Sequence, residues 1–283
     1  MTVGPDVSGH PPHTDLKNAS DYAGRGMDRV DGWLVKLSAR LIVASAEIQT
    51  DAGERGGVCE IGVHHGKLFI LLYNCLSTDE RGLAIDLFDD QAQNTDGSGR
   101  GDKEIFLRNL SRFSPDSSKL TIIEANSLKL DAGALRAEVG AVRLFSVDGG
   151  HTAECAESDL RLAEAALSPC GLVILDDVFN PCWPGVLTGL ARYMADPATR
   201  LTPFLVSPNK VFLARPEAIA LYRGKLRPAF SYAFEKESEM FDCPVDIYGV
   251  SDSLNKVVGR FIKRHAGDGA FERIRSIRRR ILH

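Results

Sequence analysis

The run VRLFSVDGGH, residues 142–151, together with GLVILDD, residues 171–177, decides the fold. Two short apolar runs each finish on acid: Val142–Val147 on Asp148, and Leu172–Leu175 on Asp176 and Asp177. Runs of this length, rich in Val, Ile, Leu and Phe, read as buried parallel strands. The segment between them, Thr152 to Leu167, carries apolar or small residues at helical spacing and completes a β-α-β unit with both strands pointing the same way. The carboxyl ends of such strands face the ligand crevice. Asp148, Asp176, Asp177 and the imidazole of His151 therefore converge at one edge. Like charges gathered in a partly dry crevice repel, and a cation between them relieves the repulsion; an all-oxygen set suits magnesium. A single strand-terminal Asp is as readily a helix cap or a turn former. Three of them beside a histidine favour function.

The rest of the chain fits one large α/β domain with additions. It has 283 residues, 44% hydrophobic and 25% charged, and a net charge of -4, which gives no push toward nucleic acid or membrane. No apolar run reaches the length of a membrane span, and the N-terminus lacks the basic and apolar regions of a secretory signal. The six cysteines are scattered without a C-x-x-C pair, which argues against a zinc site and for reduced thiols in a cytoplasmic protein.

The first strand of the core, Gly57 to Ile61, runs into Gly62-Val63-His64-His65-Gly66 and then a helix, Leu68 to Leu76. Strand, glycine turn and helix form a nucleotide-binding corner, because glycine lets the backbone approach a ligand and the helix N-terminus carries partial positive charge. Glu60, Gly62, Val63, His64 and Gly66 are the candidate contacts; loop histidines are also commonly inert. The middle glycine of G-x-G-x-x-G is missing, which weakens a dinucleotide reading. The second strand, Gly82 to Ile85, ends on Asp86, placed to accept hydrogen bonds from ribose hydroxyls. Residues 87–102 are a polar loop above the carboxyl edge of the sheet, expected to cover a ligand. A helix over 103–113 and a third strand over 120–124 follow. Asn126 and Ser127, just beyond that strand, suit either an adenine edge or a turn. After Asp177, Phe179 and Trp183 are placed to wall a pocket and Asn180 to point an amide into it. Strands at 202–206 and 210–214, joined by a tight turn, predict an antiparallel hairpin at the sheet edge.

The element order and motifs resemble the class I S-adenosylmethionine-dependent methyltransferases over roughly residues 56 to 215, with EIGVHHG at the cofactor loop and Ile85-Asp86 at the ribose-binding acid. VDGGH followed by LDD is similar to the metal-dependent O-methyltransferases that act on sugars of antibiotics and related glycosides, the macrocin O-methyltransferase group. That resemblance implies a Rossmann-like α/β fold: a seven-stranded, mostly parallel sheet, helices on both faces and the hairpin at its edge. It implies S-adenosylmethionine and Mg2+ as cofactors, with the metal on Asp148, Asp176 and Asp177, Asp148 also meeting the cofactor, and His151 as general base or orienting group. Some members carry an Asp base two positions after the first ligand; here that position is Gly150.

Around this core the expected organisation is a mobile tail over residues 1–27, a helix within 28–55 whose stripe includes Val30, Trp33, Leu34, Leu37, Leu41, Ile42 and Ala46, and a C-terminal extension over 216–283 with an apolar-faced basic helix at its end. The added apolar surface predicts a homodimer, and the acceptor is expected to be a small sugar or glycoside. A catechol-type O-methyltransferase, a nicotinamide-dependent oxidoreductase and an inactive cofactor-binding module are the competing classes. The first usually has a Lys base after the fourth strand, absent here, and the second does not need the acidic pair.

Overall fold

The computed structural model describes residues 16–249, apart from positions 95 and 115. The first helix, α1, is Lys17–Asp21; a π turn and a 3-10 turn carry the chain to Arg29. Then come α2 (Lys36–Asp51), β1 (Gly57–Ile61), α3 (Lys67–Tyr73), β2 (Gly82–Asp86), α4 (Lys103–Phe113), β3 (Leu120–Glu124) and α5 (Ala132–Val139). The second half is β4 (Val142–Val147), α6 (Ala153–Ala166), β5 (Leu167–Leu175), α7 (Pro184–Ala195), β6 (Thr202–Ser207), β7 (Lys210–Ala214), α8 (Pro216–Ala229), β8 (Phe234–Met240) and β9 (Cys243–Tyr248).

The strands form one sheet in the order β3-β2-β1-β4-β5-β7-β6-β9-β8. Strands β1 to β5 are parallel, and β7 pairs antiparallel to β5. Alternation along the central strands divides the core between two faces. On β4, Leu144 faces α2, α3 and α8, while Phe145 faces α5, α6 and α7; on β5, Ile174 and Val173 divide the same way. Helices on both faces explain why β1 and β4 are buried along their whole length. The strand order reverses between β1 and β4, and the ligand crevice of such a sheet opens at that point.

Several expectations are corrected. The sheet has nine strands, not seven, and the β6–β7 hairpin is internal, because β9 pairs parallel to β6 and β8 pairs with β9. Part of the presumed extension therefore belongs to the domain. Strand β8, FEKESEM, is a polar edge strand without the apolar alternation that reveals a strand in sequence. The expected mobile tail is ordered from residue 16: Leu16, Ala19, Tyr22, Ala23 and Met27 are buried, and the Tyr22 hydroxyl donates to the Lys67 carbonyl at 2.9 Å. The N-terminal helix starts at Lys36, not near residue 28, and Trp33 is 78% exposed rather than on its buried stripe. Residues 1–15 and the basic C-terminal helix lie outside the described residues.

Helix α2 buries Leu37, Leu41, Ile42 and Ala46 within the protomer, and Tyr222, Phe230 and Tyr248 are buried there too. Part of the apolar surface counted toward a partner is thus buried within one chain, while Trp33, Tyr232 and Phe241 stay exposed. No helix among the described residues is long and apolar enough to cross a membrane.

A buried ion pair joins the layers at the amino end of β4. The Arg143 guanidinium donates to both carboxylate oxygens of Glu80, at 3.0 and 2.9 Å, and to Gln49 of α2 at 3.0 Å. Glu80 also accepts from the Gly56 and Ser77 amides. Removing one partner of such a pair strands a buried charge, at a cost of ~3–5 kcal/mol. Glu80→Ala is expected to lower unfolding free energy by that amount in denaturant titrations while leaving ligand binding at the far end of the sheet unchanged. A loss under ~1 kcal/mol would show that Arg143 finds water instead.

Candidate active site

The crevice beyond the carboxyl ends of β1, β2, β4 and β5 is a cleft of about 680 Å³, within the usual size of a small-molecule site. Its first wall is the glycine turn. Gly62 adopts φ +86, and a Cβ there would stand 1.7 Å from the Asp148 carbonyl oxygen. Only glycine lets the β1 and β4 loops meet this closely. Asp86 ties the turn down: its two carboxylate oxygens accept the His64 and Phe88 amides, each at 2.7 Å. Gly66, φ +88, begins α3 against Phe106 and does not line the cleft, so its role is in the turn rather than at a ligand.

The other expected cofactor residues do line the cleft: Glu60, Gly62, Val63, His64, Asp86, Asn126, Ser127 and Asp148. Glu60 is 1% exposed and its Oε2 has no hydrogen-bond partner. Burial, and then the charges of Asp176 and Asp86, push its pKa well up, against the opposing pull of the Lys210 ammonium. A cationic ligand group would supply what this carboxyl lacks.

The second wall holds the acids. Asp148, His151 and Asp177 present one ligand-type atom each, all within 4.8 Å of one another. His151 Nε2 lies 3.0 Å from Asp177 Oδ2 and 3.9 Å from Asp148 Oδ1. Burial and the negative charges of Asp176, Asp177 and Glu60 hold the Asp148 carboxyl well above its ordinary range. Asp177 goes the other way: burial opposes ionisation, but hydrogen bonds from His151, Asn180 and Asn209 bring it down to about 2. Burial disfavours charge on His151, yet the Asp177 and Asp96 carboxylates raise its pKa above the usual value. Asp177 itself is left-handed, φ 57, a conformation that short polar side chains tolerate and that is stored at sites.

Asp176 lines the cleft but stands outside the triangle that Asp148, His151 and Asp177 form. It is 6% exposed, its Oδ2 is salt-bridged to the Lys210 ammonium, and its Oδ1 accepts the Asp177 amide at 2.8 Å and Asn209 Nδ2 at 3.2 Å. Asn209 also donates to Asp177, clasping the acidic pair from the β6–β7 turn.

Lys210, Asn209 and Asp96 were not legible as site residues. Lys210 opens an apolar strand and Asn209 sits in a turn, where each has an ordinary reading. Asp96 lies in the polar loop expected to cover the cleft, and reaches His151 there. Of the residues placed as pocket walls, Trp183 and Asn180 line the cleft and Phe179 does not. Trp183 stacks on His151, ring centroids 4.4 Å apart. Trp33 lines the opening beside His64, with centroids 5.7 Å apart.

Residues 59–178 match the family model of a methyltransferase domain. Among solved structures, the O-methyltransferase NovP is 16% identical with a TM-score of 0.52, over 64% of this chain and 81% of that one. The TDP-rhamnose 3'-O-methyltransferase CalS11, an enzyme in calicheamicin biosynthesis, is 15% identical with a TM-score of 0.45, over 73% and 96% of the two chains. TomG from Streptomyces achromogenes, involved in tomaymycin synthesis and solved with S-adenosylmethionine, is 17% identical with a TM-score of 0.48, over 74% and 92%. At its identity the likeness to NovP establishes a shared fold. No curated protein matches the chain.

The Lys210–Asp176 pair carries a stability prediction. Lys210→Met leaves Asp176 buried without its counter-charge and is expected to cost ~3–5 kcal/mol. Adding Asp176→Asn should return at least half of that loss in denaturant titrations. Equal and additive losses would show that the two residues do not depend on each other.

Proposed function

We propose that this chain, a class I S-adenosylmethionine-dependent methyltransferase domain with additions at both ends, is an O-methyltransferase that uses magnesium and acts on a hydroxyl of a sugar or glycoside. The observation that carries the reading is the joining of two walls at the β1–β4 switch: a glycine turn stapled by Asp86, and an acid cluster a few ångströms across containing His151.

On the cofactor side, the Gly62 approach, the Asp86 carboxylate and the unpartnered Glu60 Oε2 suit a ligand with ribose hydroxyls and a cationic amino-acid end. On the acceptor side, Asp148 and Asp177 offer hard oxygen donors, and the raised pKa of Asp148 marks charge that a cation would offset. Bound there, magnesium would supply Lewis acidity that favours loss of the acceptor hydroxyl proton. Vicinal hydroxyls of a sugar fit such a site.

In the transfer, the acceptor oxygen forms a bond to the methyl carbon as the carbon–sulfur bond breaks, and that electron pair stays on sulfur. The hydroxyl proton goes to His151 Nε2, the ring nitrogen that faces Asp148 and Asp177. Walls that exclude water and fix both reactants contribute through orientation. Trp33 and Trp183, the only tryptophans in the sequence, both line the cleft and offer flat apolar faces for a sugar ring. The six cysteines are unpaired, consistent with a cytoplasmic setting.

The compact triangle of Asp148, His151 and Asp177 favours one second reading, in which His151 Nε2 is a third metal ligand in place of Asp176. As a base, His151→Ala should lower turnover ~10²–10⁴-fold and leave magnesium affinity intact; as a ligand it should lower both together. Unimpaired turnover in His151→Ala would remove both roles.

The cofactor assignment is tested separately. Asp86→Ala should weaken S-adenosylmethionine binding by the loss of charge-assisted hydrogen bonds to ribose, each ~1.5–3 kcal/mol. Asp177→Asn should leave that affinity nearly unchanged while reducing magnesium-supported turnover. Equal calorimetric affinity for wild type and Asp86→Ala would sink the assignment.

A further inference from the structure

Asp96 reaches across the cleft from the segment between β2 and α4 to a residue 55 positions later in the chain. Its Oδ2 accepts two hydrogen bonds from that one residue: the His151 backbone N–H at 2.6 Å and the ring Nδ1 at 3.0 Å. Its Oδ1 accepts the Ser98 amide at 2.8 Å. The turn that presents it is self-supporting, with Asn94 Nδ2 donating to the Ser98 carbonyl at 2.6 Å and the Gly97 amide donating to Asn94 Oδ1 at 3.1 Å. Both partners are largely enclosed, with side chains of Asp96 and His151 each 10% exposed. Gly150 leaves room for Cys155, whose Sγ would stand 2.8 Å from a Cβ there.

We propose that Asp96 is a positioning residue for His151, and that its carboxylate holds the imidazole proton on Nδ1 so that Nε2 is the working nitrogen. A neutral imidazole donates from one nitrogen and accepts at the other, and an ionised carboxylate only accepts. Carboxylates face both ring nitrogens at 3.0 Å, Asp96 on Nδ1 and Asp177 on Nε2, so Asp96 is the group that keeps a proton on Nδ1; without it Asp177 would hold the proton on Nε2. Burial works against ionisation of Asp96, but the donors from His151 and Ser98 outweigh it and keep the carboxyl below its ordinary range. The backbone bond fixes the distance and the ring bond the rotation, while Trp183 stacks on the ring. The segment over the cleft thus completes the reacting histidine as well as covering the site. The proposal rests on the reading that His151 Nε2 works at the site, and it holds whether that nitrogen takes a proton or binds metal.

The test is a double-mutant cycle on turnover with S-adenosylmethionine, magnesium and a sugar bearing adjacent free hydroxyls that takes up labelled methyl, accompanied by cofactor calorimetry. Asp96→Ala is expected to lower kcat about 10–100-fold, the usual worth of a carboxylate that orients a working histidine, with cofactor affinity within twofold of wild type. In a His151→Ala background the same substitution should cost nothing further. Nitrogen-15 spectra of the histidine rings give an independent readout: the His151 signal should show a protonated Nδ1 in the wild type and a shift of the proton to Nε2, beside Asp177, in Asp96→Ala. Asp96→Asn, which keeps the side-chain shape, guards against collapse of the turn and should fall in kcat as Asp96→Ala does. Turnover within twofold of wild type in Asp96→Ala overturns the proposal. So do equal losses in both backgrounds, an unchanged tautomer, or a loss confined to cofactor affinity. Full turnover in His151→Ala removes the functional reading of that residue and this proposal with it, whereas additive losses remove this proposal alone.

Discussion

One buried ammonium makes the acid edge of this sheet possible. Lys210, 2% exposed at the start of β7, is paired with Asp176 and acts electrostatically on Asp148 and Glu60. Without it, strands β1, β4 and β5 would each deliver a carboxylate to the same crevice with no fixed positive charge among them. The antiparallel return of β7 beside β5 brings the lysine there. The two acids that end β5 consequently divide: Asp176 turns inward to Lys210, and Asp177, in a left-handed conformation, turns toward His151 and the cleft. A consecutive pair that looks equivalent in sequence thus has two environments, one carboxylate paired with a buried ammonium and one beside His151.

Strand topology does the rest of the positioning. The switch between β1 and β4 forces two loops together, and the contact between Gly62 and the Asp148 carbonyl is the closest point of that meeting. Gly149 is also closely packed, since a Cβ there would lie 2.7 Å from Asp159, a carboxyl that burial pushes up to about 7. These glycines let the β1 and β4 loops meet at the base of the cleft.

The parallel core was legible because its signals are local. Strands β1 and β3 and helix α4 fall where hydrophobic patterning and caps place them; α4, for instance, opens on Asp102, whose side chain accepts the Ile105 amide. The carboxyl-edge acids and His151 were legible for the same reason, as endings of apolar runs. What escaped depends on partners distant in sequence. Lys210 reads as a strand residue until the sheet order places it beside Asp176. Asp96 reads as one acid in a polar loop until the loop folds over His151. Trp33 fits a helical stripe by spacing, but Gly32 at φ +131, held by the Lys67 ammonium at 2.9 Å, breaks the helix and sends the indole to the cleft. Tyr222, Phe230 and Tyr248 had no assigned place because β8, the polar strand that closes the sheet on that side, shows no apolar alternation.

The central claim is that the two walls serve one reaction, donor on the glycine turn and acceptor on the acid cluster. The most direct measurement follows a labelled methyl group from S-adenosylmethionine onto a panel of sugars and glycosides, with magnesium present and with magnesium removed by chelator. The account predicts label on an oxygen of at least one acceptor bearing adjacent hydroxyls, in the magnesium-containing reactions alone. Equal transfer in excess chelator, or S-adenosylmethionine that binds without donating its methyl group to any hydroxyl, would contradict it.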